Sequence, residues 1–158
     1  MGSLPAWCVA ERQPATGTSA YALGMVMRYP IRIGSRSRLL LRVAFGVTPE
    51  RAWAEIDEGV VRCRFGRFEF RVPVANITRW RIEGPWRWIT AIGVRRSIRD
   101  GDFTFAGSPR GGVRMDFATP VRWSGFRVPA FYVGVEDLEA FAAELSALGI
   151  PGMDARTG

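Results

Sequence analysis

Between Ala52 and Val72 the stretch AWAEIDEGVVRCRFGRFEFRV carries two dipeptides, Glu58-Gly59 and Gly66-Arg67, that suit two-residue hairpin turns. A turn of fixed length dictates which residues face one another. With Gly66-Arg67 at the tip, Phe65 faces Phe68, Cys63 faces Phe70 and Val61 faces Val72, while Arg64 meets Glu69 on the other surface. With Glu58-Gly59 at the tip, Ile56 faces Val61, Ala54 faces Cys63 and Ala52 faces Phe65; Glu55 then lies opposite Arg62, and Trp53 opposite Arg64. Both registers put the same apolar set on one side. The segment is predicted to be a three-stranded antiparallel meander with a single buried face.

Weaker alternation extends the pattern. Trp80 and Ile82 alternate with Arg79 and Arg81, and Val113, Met115 and Phe117 alternate with Arg114 and Asp116. Phe131, Val133 and Val135 read as a last strand. Asp100-Gly101 suits a type I′ turn that would set Ile98 against Phe103 and Arg99 against Asp102. Seven or eight strands are expected at this spacing. The period then changes to helical in EDLEAFAAELSALG, where Leu138, Phe141, Ala142, Leu145 and Leu148 form one stripe, with Gly149 as the stop signal and Pro151 beyond it. Residues 28–46 stay open: Leu39-Leu40-Leu41, Val43 and Phe45 suit a first strand or a short helix equally. Residues 1–27 read as a disordered leader, 28–150 as one domain and 151–158 as a flexible tail.

The chemistry available is narrow. The 158 residues include no histidine and no lysine; all 22 basic residues are arginines, set against 15 acids for a net charge of +7. Without those titrating groups, acid-base catalysis rests on scattered carboxylates, and Cys63 falls on the inward face. No metal-ligand spacing occurs. The expectation is a non-enzyme with no metal and no cofactor. Two cysteines, Cys8 and Cys63, imply no disulfide framework, which fits a reducing, cytoplasmic setting. The excess of arginine favours an acidic protein, nucleic acid or an anionic membrane surface as partner.

The phrases AWAEIDEGVVRCRFGRFEFRVPVANITRWRIEGP, IGVRRSI, GGVRMDF and VGVEDLEAFAAEL, spread over residues 39–150, resemble uncharacterised pleckstrin-homology-like (PH-like) proteins of actinobacteria. The resemblance implies a partly open antiparallel barrel of two packed sheets with one C-terminal α-helix, and a binding or scaffold role. Phosphoinositide-binding relatives carry basic residues in the first hairpin loop. Here that loop is Asp57-Glu58-Gly59, so inositide recognition is not carried over.

Two surfaces are the candidate sites. One is the arginine and tryptophan cluster of Arg79, Arg81, Trp86, Arg87, Trp88 and Arg95; the other is the outer face of the meander, with Trp53, Arg62, Arg64 and Arg71. On that face Arg62 should stand opposite Arg71, a repulsion that a bound anion would relieve. Protein binding through these surfaces is the expected function, with association of copies a further possibility. The alternatives are a barrel holding a small apolar ligand, or peripheral attachment to anionic lipid.

Overall fold

The structure, a computed structural model, describes residues 26–86, 92–97 and 99–156. The predicted leader, up to residue 25, lies outside them. The described residues form two β-sheets and two α-helices, the second helix near the C-terminus.

The first sheet has the order β1-β2-β3-β4: β1 Arg28–Pro30, β2 Ala52–Asp57, β3 Val60–Phe65 and β4 Phe68–Pro73. Its two hairpins have the registers set by the turn arithmetic, from Ala52 opposite Phe65 to Phe65 opposite Phe68. Ala52, Ala54, Ile56, Val61, Cys63, Phe65, Phe70 and Val72 are all buried. Gly66 suits its turn because the backbone there is left-handed, at φ +63°, and a Cβ would stand 2.1 Å from the Phe45 carbonyl oxygen.

The second sheet contains β5 Ile77–Glu83, β6 Gly93–Arg96, β7 Phe103–Ala106, β8 Gly112–Trp123, β9 Phe126–Val133 and β10 Gly152–Asp154, in the order β10-β5-β8-β9-β7-β6. Two expectations about strand pairing need correction. The sheet is not wholly antiparallel, since β7 pairs with β9 and β10 with β5 in parallel. Phe103 faces Arg96 rather than Ile98, which itself lies outside the described residues. The turn is longer because the Ser97 amide donates to the Asp102 carbonyl at 2.8 Å, closing a loop that the Asp100-Gly101 pair does not reveal. The two sheets do not form a closed barrel; isolated bridges from Ile31 to Val135 and from Ile33 to Gly107 join them. Pro151 onward, read from sequence as a tail, includes the short strand β10 beside β5.

The open segment 28–46 resolves into β1 and the helix α1, Arg38–Phe45. The predicted C-terminal helix is α2, Leu138–Ala147, which buries Leu138, Phe141, Ala142 and Leu145. Asp137 caps it by accepting from the Ala140 amide at 2.9 Å, and Gly149 takes φ +83° just past its end. The Phe141 ring meets Tyr29 edge-on, and the Trp80 indole donates to Ser146 Oγ and the Ile150 carbonyl, both at 3.1 Å. These contacts seat α2 against both sheets. Between the sheets, Phe70 stacks on Phe131 with ring centroids 4.2 Å apart, and Phe105 meets Phe131 edge-on at 4.8 Å. Side chains thus occupy the space where a lipocalin-like ligand would sit.

Candidate functional site

The outer face of the first sheet carries the charge pairs that alternation creates. Arg28 donates to Glu55 at 2.8 Å and lies 4.4 Å over the Trp53 ring. Arg62 does stand opposite Arg71. Both have acids of the same sheet within reach: Arg62 lies 3.8 Å from Glu55 and 3.9 Å from Asp57, and Arg71 bonds Glu69 at 2.5 Å. Repulsion across the pair is thus offset without an outside anion. Arg64 stands opposite Glu69 as the register requires, and its guanidinium donates to the Gly66 carbonyl at 3.3 Å.

On the second sheet, Arg79 and Arg81 project from β5 toward Asp116 on β8, at 2.7 and 3.5 Å, and Arg81 also lies 3.4 Å from Glu83. Arg114 holds the other Asp116 oxygen at 2.7 Å, Asp102 at 2.8 Å and the Tyr132 hydroxyl at 2.9 Å. Tyr132 donates in turn to Glu83 at 2.5 Å. One connected network therefore spans β5, β8, β9 and the loop before β7. Trp86 covers its end, edge-on to Tyr132 at 5.4 Å. Arg95 lies exposed on β6, while Arg87 and Trp88 fall outside the described residues. The structure thus joins Arg79, Arg81 and Trp86 to acids and a tyrosine, and does not gather the whole predicted cluster.

The network has a signature in acid. Burial pushes the Asp102 carboxyl above its ordinary value of 3.8, although Arg114 pulls the other way. Burial also raises Asp116, but hydrogen bonds from Arg114 and Arg79 outweigh it and leave that carboxyl below 3.8. Burial, then the bond to Glu83, lifts Tyr132 to about 12. A raised carboxyl adds stability as the pH falls through its folded pKa, and that gain is complete below 3.8; a depressed one loses stability only below 3.8. Urea midpoints measured across the acid range should show Asp102→Asn removing the gain above pH 3.8 and Asp116→Asn removing the loss beneath it.

A third surface went unread in the sequence. Helix α1 is held by Leu41, fully buried, and by Phe45, which packs 6.1 Å from the Phe68 ring. Before it, the buried Ser37 hydroxyl lies 2.9 Å from the Gly107 carbonyl and 3.0 Å from that of Gly34. At its end, Gly46 adopts φ +66° and donates back to Arg42 and Leu41. At about 100° per residue, the direction opposite Leu41 and Phe45 belongs to Leu39, Leu40 and Val43. These side chains are 73%, 59% and 76% exposed. Arg36, Arg38 and Arg42 are exposed beside them, and their guanidinium groups make no hydrogen bond or salt bridge with a described residue. The nearby acid is Glu50, fully exposed, whose carboxyl is lowered first by the Thr48 hydroxyl, then by its own backbone, and in smaller part by Arg38 and Arg51.

Among the described residues no group of three or more His, Cys, Asp or Glu side chains is placed to hold a metal. No helix among them is long and apolar enough to cross a membrane. No protein-family model, curated protein or solved structure matches the chain.

Proposed function

We propose that this protein is a non-catalytic binding module of PH-like architecture that engages an anionic partner through the surface of α1. The observation that carries the reading is that three arginines without a salt bridge gather on one short segment beside three exposed aliphatic side chains, Leu39, Leu40 and Val43. Over the middle of both sheets outward arginines meet acids: Arg79, Arg81 and Arg114 share Asp116, and Arg28 and Arg62 share Glu55, whereas Arg122 and Arg127, opposite each other near the tip of the β8-β9 hairpin, form no salt bridge with a described residue. Around α1, Arg36, Arg38 and Arg42 have no such partner among the described residues. A net charge of +7 gives long-range attraction to a polyanion, and an unpaired cluster is where close contact costs least, because no existing ion pair must break.

The PH-like part of the reading is supported by the meander β2-β3-β4, by the antiparallel run β5-β8-β9 facing it and by a single amphipathic helix after the last long strand. The parallel pairs at β7 and β10 are departures from that pattern. A cytoplasmic setting accords with the free thiol of buried Cys63.

Retention on an immobilised acidic polypeptide tests the proposal. The combined change Arg36→Gln, Arg38→Gln and Arg42→Gln should lower the salt needed for elution more than Arg71→Gln combined with Arg79→Gln, although the first set removes only one charge more. Equal losses per charge removed would show that binding is spread over the surface, and the proposed site would fail.

A further inference from the structure

The exposed face of α1 is apolar as well as cationic, and this pairing narrows the partner. Resting on the reading above, we propose that α1 docks the protein on an anionic lipid bilayer, with Leu39, Leu40 and Val43 entering the headgroup and acyl boundary and Arg36, Arg38 and Arg42 meeting lipid phosphates. Leu39 and Val43 lie one turn apart with Leu40 beside them, so all three project away from the protein body. Arg38 and Arg42 are themselves one turn apart, on the flank between the buried and exposed faces. Long arginine side chains on such a flank keep their charge at the level of the phosphates while the aliphatic tips go deeper.

Other anionic partners answer only half of this surface. Nucleic acid supplies phosphates but little apolar phase for three aliphatic side chains. An acidic protein needs a groove shaped to a convex helix, and protein interfaces draw their energy mainly from tryptophan, tyrosine and arginine anchors, whereas this crown is aliphatic. A fluid bilayer needs no shape match. The short length of α1 suits shallow, reversible docking, which two weak signals together make measurable. The site is distinct from the first hairpin loop, where Asp57 and Glu58 would repel a headgroup.

Co-sedimentation of the full chain with phosphatidylcholine vesicles, with and without phosphatidylserine, tests the proposal. Binding should require phosphatidylserine and weaken at high salt. Replacing the three arginines by glutamine should cost roughly fivefold per charge. The combined change Leu39→Ser, Leu40→Ser and Val43→Ser should cost about tenfold or more, because it removes the inserted apolar area. All six side chains are exposed, so matching urea transitions should show that the fold is kept. Three results would overturn the lipid assignment: unchanged vesicle binding in the serine variant, tighter binding to duplex DNA than to vesicles, or a doubled mass in light scattering that the serine variant abolishes. No vesicle binding alongside normal retention on acidic polypeptide would overturn the lipid assignment alone; loss of both would overturn the binding module as well.

Discussion

Replacing Phe70 by alanine is expected to lower the free energy of unfolding by about 3–5 kcal/mol, with the slope against urea unchanged. Phe70 is 1% exposed and joins the two sheets: its ring stacks on Phe131 and Phe117 and meets Trp123 edge-on. Truncation therefore removes the transfer energy of the ring and also leaves a cavity that two β-sheets, tied by their own hydrogen bonds, collapse into poorly. Phe70→Leu keeps most of the volume and should cost far less, about 1.5 kcal/mol. A loss below about 1 kcal/mol for alanine would mean that the sheets do not share this core.

Arg114→Met is expected to cost about 2–4 kcal/mol. Methionine keeps the methylene stem but withdraws the cation from Asp102, Asp116 and Tyr132 together. Asp102 is then left as a buried carboxylate without its cation, and removing one partner of a buried pair is far more costly than the pair is stabilising. The figure sits below the fully buried limit because Arg114 keeps 18% of its side chain exposed. Restoring an apolar match with Asp102→Leu in the same chain should recover part of the loss, as urea unfolding of the double variant would show. A cost under about 1 kcal/mol would place the pair with ordinary surface ion pairs.

The two sheets were not equally legible. In the meander, every partner is fixed by two short turns and an apolar face, so local information suffices for the register of β2, β3 and β4. Helix α1 was ambiguous for a physical reason: in RLLLRVAF only Arg38 and Arg42 break the apolar run, and eight residues are too few for that spacing to separate a short helix from a buried strand. The long hairpin of β8 and β9 is broken by a register shift between Asp116 and Val121, which masks the alternation of its outer half. The parallel pairing of β7 with β9 joins distant segments that no turn signal connects. For the candidate surfaces, a sequence shows the arginines but not the acids that fold against them. Arg79 reaches Asp116 across 37 positions, so its neutralisation becomes visible only once β5 and β8 are paired.

The account turns on where an anionic partner touches the protein. The most direct measurement is a titration of the isotope-labelled full chain with soluble poly-glutamate, followed by backbone amide shifts. Perturbations should concentrate on residues 36–45 and fade as salt is added, while Arg79, Arg81 and Arg114 stay unmoved because Asp116 already holds them. Perturbations centred on the outer face of β5 and β8, with α1 silent, would contradict the account.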